Sequence, residues 1–310
     1  MMKSMRILVL GELNPDLILS DYQTFPTLGQ EVLVNDLSLT LGSSSAICAV
    51  GLARLGNAVR FGAKVGRDQW GAYCVHVLEE AGIETAFIRQ DADVKTGITV
   101  AVSSSSDRAL ITYLGAMASF RAADLDPCVM EDCGHLHISS FFLQESLRPD
   151  CLRLFAQAHA RGMTTSLDPG FDPTQRWENG LLSALPEVDV FLPNEVELRG
   201  LGRSEDPVEC LRRLQNGRTL VIAKMGKAGC LTLHDGAALR VPAFPVKVVD
   251  TTGAGDSFNA GFLHAWLRQR PLQEAMRFAA ACGAISTRAM GGTGGQATLR
   301  EAEELLCCVT

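Results

Sequence analysis

Short apolar, β-rich runs recur at 59–65, 133–139, 163–168, 188–192, 219–224 and 230–234, and helical patterns follow most of them. Such alternation predicts an α/β fold: a doubly wound, mostly parallel sheet with helices on both faces. Ile7-Leu8-Val9-Leu10 at the start predicts a buried first strand. A helix is expected over 45–55, where Ile47, Val50 and Leu52 stand among alanines, and Gly56 should end it. Two regions break the rhythm. Residues 17–41 alternate without a helix, and 96–114 read as two strands around a polar turn. Both suit a small β-sheet lid standing off the main domain. No linker, low-complexity segment or repeat divides the chain, so residues 1–310 read as one domain.

Composition narrows the classes. Hydrophobic residues make up 47% and charged residues 20%, as in a soluble globular enzyme. A net charge of −7 argues against a general binder of nucleic acid or of membrane surfaces. The ten cysteines form no C-x-x-C pair, which fits reduced thiols in a large cytosolic fold. The first apolar run is cut off by Glu12, Asn14 and Asp16, too soon for a signal peptide or a membrane span. A cytoplasmic location is expected.

Chemistry concentrates in Asp250-Thr251-Thr252-Gly253-Ala254-Gly255-Asp256. A strand-like run at 246–249 precedes it, and Phe258, Phe262, Ala265 and Trp266 follow at helical spacing. Gly253 and Gly255 allow a tight turn whose N–H groups face an anion at a helix N-terminus. Asp256 falls in the first helical turn, placed to act as a base beside that anion. A plain turn with Asp256 as a cap is the blander reading. Asp16, after the first strand, can accept hydrogen bonds from two vicinal hydroxyls. Gly42-Ser43-Ser44-Ser45 is a small-residue loop with a serine N-cap. Asn194 and Glu197 share a helix face and can either hold hydrated Mg²⁺ or cap the helix. Lys224, Gly226 and Lys227 follow another strand, where glycine admits a nucleotide and lysine offsets phosphate charge. Asp168 ends a strand and can edge the phosphate or sugar site. His135 and His137 share a strand face, but no third ligand has metal spacing.

The 250–256 string, with Ser257-Phe258-Asn259-Ala260-Gly261-Phe262 after it, resembles the C-terminal signature of the ribokinase-like carbohydrate kinases, the phosphofructokinase-B family. Asn194-x-x-Glu197 and the 52–56 helix end match that family too, and the resemblance runs from Gly11 through Gly295. It implies ATP-dependent phosphorylation of a hydroxyl on a sugar or sugar-like molecule. Asp256 would be the base, with the N–H groups of Gly253, Ala254 and Gly255 stabilising the transferring group. Asp16, Gly42, Ser43 and the lid arginine Arg108 would bind substrate. Lys224, Gly226, Thr252 and Ala281 in an alanine-rich helix would join the turn glycines at ATP, and Asn194 and Glu197 would organise Mg²⁺. The resemblance also offers a monovalent cation such as K⁺ around Asp250 and Thr252, and a homodimer through the lid. The chain departs from the family where Ser43 replaces a glycine and Ile47 an asparagine, which should make the pocket wall more apolar. Ala280 likewise stands where relatives often carry asparagine. A nucleoside kinase and a silent sugar- or nucleotide-binding regulator stay open. A dehydrogenase does not fit, because Gly11 begins no G-x-G-x-x-G, nor does a P-loop NTPase.

Overall fold

The computed structural model describes residues 6–22, 24–25, 27–103 and 108–308. Seven strands form one sheet in the order Leu220–Val221, Val190–Phe191, Thr164–Leu167, Cys133–Ile138, Arg6–Leu10, Val59–Gly66, Glu84–Asp91. Every pairing in it is parallel. From Arg6–Leu10 the chain builds outward on one side, then returns to build the other. The order therefore switches between Arg6–Leu10 and Cys133–Ile138, and in open α/β sheets the carboxyl edge at such a switch is where ligands bind.

Alternation along the first strand divides the interior. Ile7 and Val9 enter a core shared with helices Ser44–Arg54, Ala254–Trp266 and Leu272–Ser286. Leu8 and Leu10 enter a second core with Cys151–Ala160, Glu195–Gly202 and Pro207–Leu214. A strand buried on both faces must be apolar throughout, which is why these runs read as continuous. The first helix stops where expected: Leu55 caps it and Gly56 takes a φ of 83°.

Four strands make the separate small sheet, in the order Val34–Leu41, Pro15–Tyr22, Ile98–Ser103, Arg108–Tyr113. Asp16 pairs with Thr40 on one side and Thr99 on the other, and Thr99 pairs with Thr112. Period-2 geometry puts this row on one face and leaves Leu37, Leu39, Leu17, Val100 and Ile111 on the opposite one. A third sheet, Ala223–Lys224, Cys230–His234 and Ala237–Val241, is antiparallel.

The run at 246–249 is not a strand. Val248 and Val249 are more than half exposed and find no ladder partner, so β propensity alone does not order them as sheet. The Val249 N–H instead donates to the Thr287 carbonyl at 2.7 Å. Among the described residues no helix is long and apolar enough to cross a membrane.

Helix Ala254–Trp266 carries the catalytic candidate and is seated by its apolar face, where Phe262 is fully buried. Phe262→Ala should lower unfolding free energy by about 3–5 kcal/mol, the range for deleting a buried aromatic ring. Chemical denaturation reads this, and a loss below about 1 kcal/mol would show that the helix is anchored elsewhere.

Candidate functional site

Glu12, Asn14, Asp168 and Asn194 follow parallel strands, and Lys224 lies just past the parallel strand Leu220–Val221 in the short strand Ala223–Lys224, so the βαβ topology gathers them at one edge of the sheet. Helix Ala254–Trp266 enters at the same place. Gly253 is its N-cap in the left-handed region, φ 70° and ψ 7°. A β-carbon there would lie 2.8 Å from Gly292 and 2.9 Å from the Ile47 side chain, so neither conformation nor space admits another residue. The Ala254 N–H turns back to the Thr251 carbonyl at 3.2 Å. Donors of the first turn beyond it have no partner within the helix, which is where an anion is held.

Asp256 is buried in that first turn, 9% exposed, and accepts a hydrogen bond from Ser44. Burial, reinforced by the negative charge of Asp168, pushes its carboxyl up to about 8, against the pull of Lys224. Lys224 comes from the opposite side: its Nζ lies 3.6 Å from where a Gly255 β-carbon would stand. The ammonium donates to Asp168 Oδ2 at 2.5 Å and to Asn259 Oδ1 at 3.2 Å, and Asn259 Nδ2 donates to the same Asp168 oxygen. Burial acts to raise Asp168, but Lys224, Asn259 and the Gly170 N–H outweigh it and hold this carboxyl below the usual range. Burial likewise opposes charge on Lys224, yet Asp168 and then Glu197 more than offset it and keep the lysine protonated.

Asn194 and Glu197 form a reciprocal cap. The Glu197 N–H donates to Asn194 Oδ1 at 3.0 Å, while the Asn194 N–H reaches Glu197 Oε2 at 2.8 Å. Glu197 is buried, and desolvation with the nearby Asp168 charge raises it to about 8. The cap and the site are the same residues: Asn194 also bridges Lys224 across the sheet.

On the small-sheet side, Gly42 lies so close to Asp16 that a β-carbon would stand 2.1 Å from Asp16 Oδ1. Ser43 is the N-cap residue of helix Ser44–Arg54, but its hydroxyl does not cap. With φ 70°, it accepts from the Asn14 N–H at 2.9 Å and donates to Asn14 Oδ1 at 2.6 Å. Ile47 is 3% exposed and packs against the glycine turn, 2.9 Å from where a Gly253 β-carbon would stand and 2.4 Å from where a Gly292 β-carbon would. Ala281 is fully buried in the core, so its methyl group offers no face to a nucleotide. An alanine-rich helix gives little contrast between faces, and its phase cannot be read from such a sequence. The Arg108 side chain lies outside the described residues. Asp250 accepts from the Thr252 N–H and hydroxyl, at 2.9 and 2.8 Å, and from the Gly291 N–H at 2.8 Å, tying the two glycine-bearing loops together. Gly226, φ 53°, starts the short turn after Lys224.

His135 and His137 form a hydroxyl ladder. Ser166 Oγ lies 2.7 Å from both rings, with Thr164 and Ser139 at the two ends. Burial drives His135 down to about 3 and His137 to about 4, so both rings are neutral. Sequence reasoning passed over Glu12 and Asn259. Glu12 accepts from the Ser45 N–H and hydroxyl at 3.2 and 2.7 Å inside the core edge. Asn259 stands one helical turn after Asp256, and that i, i+3 spacing on a mostly apolar helix was the available signal.

The chain is similar to known proteins along most of its length. The profile of the pfkB family carbohydrate kinases matches residues 4–299. A ribokinase from Haemophilus influenzae is 29% identical over 308 residues, covering 96% of this chain and 97% of that protein. A fructokinase from Klebsiella pneumoniae is 32% identical over 271 residues, 81% of this chain and 86% of the relative. Among solved structures, a fructokinase with bound ATP from Xylella fastidiosa superposes with a TM-score of 0.84 at 25% identity, covering 98% of this chain and 99% of the other. An E. coli protein in complex with ATP and Mg²⁺ gives 0.86 at 23% identity over 99% of this chain and 100% of the other. With the profile spanning nearly its whole length and the glycine turn and Asp256 in place, the chain belongs to the pfkB family of carbohydrate kinases.

Proposed function

We propose that the protein transfers the γ-phosphoryl group of ATP to a hydroxyl of a sugar, with Asp256 as the base. The observation that carries this reading is Asp256 buried at a helix N-terminus, with Lys224 beside the same turn. Asp256 takes the proton as the alcohol oxygen attacks phosphorus. The first-turn N–H donors and Lys224 face the charge on the transferring group. Phosphoryl transfer depends mainly on positioning and electrostatics, so fixed backbone dipoles in a dry site serve it directly. The Asp16 carboxylate, set against Gly42, faces vicinal hydroxyls, and the small sheet acts as a lid that excludes water from the reacting groups.

The residues present fit Mg²⁺. Glu197 is a carboxyl raised by burial that a divalent cation would recharge, and both its oxygens keep lone pairs beyond the cap. Mg²⁺ typically holds several waters and needs only one or two protein carboxylates beside substrate phosphates. Bound there, it would offset phosphate charge, with Glu197 and Asn194 as its protein side. No specific observation favours a nucleoside kinase.

Three exposed apolar residues on the face of the small sheet opposite Asp16, Leu37, Ile111 and Tyr113, support pairing of two lids in a homodimer. Leu37→Asp combined with Ile111→Asp is expected to shift the mass in light scattering from dimer to monomer. A wild-type protein that is already monomeric at micromolar concentration rules the dimer out.

ADP release coupled to NADH oxidation, with Mg-ATP and a panel of ribose, fructose, sugar acids, sugar phosphates and nucleosides, identifies the acceptor. With that acceptor, Asp256→Asn should reduce kcat by about 10²–10⁴-fold or more while ATP still binds. Near-normal turnover in this variant would falsify the role of Asp256.

Asp256 must be ionised to accept a proton, and its carboxyl sits near 8 in the free protein. Activity should therefore rise with pH, kcat/KM climbing from pH 6 through about 8 before levelling. A flat profile across this interval excludes an ionising base with a raised pKa.

A further inference from the structure

Lys224 is held by two buried side chains from different parts of the fold. Asp168 ends the Thr164–Leu167 strand and is 4% exposed, and Asn259 is fully buried within helix Ala254–Trp266. The three side chains close a triangle: ammonium to carboxylate, ammonium to amide oxygen, and amide nitrogen to the same carboxylate oxygen. Asp168 Oδ1 is fixed separately by the Gly170 N–H at 2.9 Å. Because Asn259 spends its oxygen on the lysine and its nitrogen on the aspartate, its amide has one consistent orientation.

A lysine ammonium has three N–H donors. The triangle occupies two of them, and the Nζ stands 3.6 Å from the β-carbon position of Gly255, at the mouth of the first helical turn. We propose that Asp168 and Asn259 are positioning residues that clamp Lys224 so that its remaining N–H faces the phosphoryl group being transferred. This rests on the phosphotransfer reading above and adds to it how the site's cation is fixed.

Three features make the clamp more than a satisfied ion pair. A flexible four-carbon stem loses its freedom only when the head is tied at more than one point, and here two partners tie it. One of the two sits one turn from Asp256 on the same helix, so the cation and the base are indexed to a single rigid element. Asp168 also supplies a compensating charge, so the lysine stays protonated in a dry site before any phosphate arrives. A lysine serving only the fold would need no helix N-terminus beside it.

The clamp predicts a specific binding signature that needs no sugar. Calorimetry would compare Mg-ADP with Mg-AMP-PNP, a nonhydrolysable nucleotide carrying the third phosphate. Wild-type protein should bind the triphosphate analogue more tightly. In Asn259→Ala and Asp168→Asn that gain should shrink by about tenfold, the size of one charge-assisted hydrogen bond, while Mg-ADP affinity holds within about twofold. Lys224→Met should lose the same gain, and adding Asn259→Ala to it should cost nothing further, because both act through one ammonium. Asp168→Asn leaves a buried cation without its partner charge and can fail to fold, and thermal unfolding would show this. Asn259→Ala, which changes no charge, then carries the test. An undiminished gain in folded Asn259→Ala overturns the clamp, as does a wild-type protein with no gain at all. Asp256→Asn judges the function separately: if it stays active, the base assignment fails whatever the clamp does.

Discussion

One buried ammonium set among carboxyl groups governs the site. Asp168, Glu197 and Asp256 are all removed from water within reach of Lys224, and a low-dielectric pocket cannot hold three bare negative charges beside one positive one. The structure resolves this unequally. Asp168 takes the direct ion pair and is held ionised, while Glu197 and Asp256 are driven up to about 8. Two carboxyl groups are thus left with protons bound near neutrality. Environments that push neighbouring acids apart in this way divide their roles.

The surrounding fold can be read as the means of assembling that charge arrangement. Its members arrive from strand ends across the sheet and from the first turns of two helices, so none is adjacent in sequence to all the others. Asn194 and Glu197 show that structural and chemical roles need not compete. Their mutual cap satisfies first-turn donors and fixes the Glu197 carboxyl in one rotamer, while leaving lone pairs on both oxygens. Gly42 and Gly253 work by absence: each leaves room, one for the Asp16 carboxylate and one for a second glycine loop. Ser43 follows another route. It sits at φ 70°, where a side chain is strained, and its hydroxyl is engaged twice by Asn14, which ties the base of the small sheet to the first helix.

The parallel sheet, the separate small sheet and the Asp256 turn were legible in the sequence, for physical reasons that are local. Strands buried on both faces must be continuously apolar, and helices announce their ends with glycine. A Gly-x-Gly before an amphipathic run defines a turn and a helix start with no help from elsewhere. What failed were inferences that depended on a partner. Residues 246–249 have strand propensity but no neighbouring strand, and Ala281, expected beside ATP, is fully buried in a helix with little polarity contrast. Folding alone brings Asp168, Lys224 and Asn259 together, since 56 residues separate the first two and 35 the last two. It also decided which acid keeps its charge, because a pKa depends on burial and on neighbours brought in from distant strands, and those distances exist only after folding.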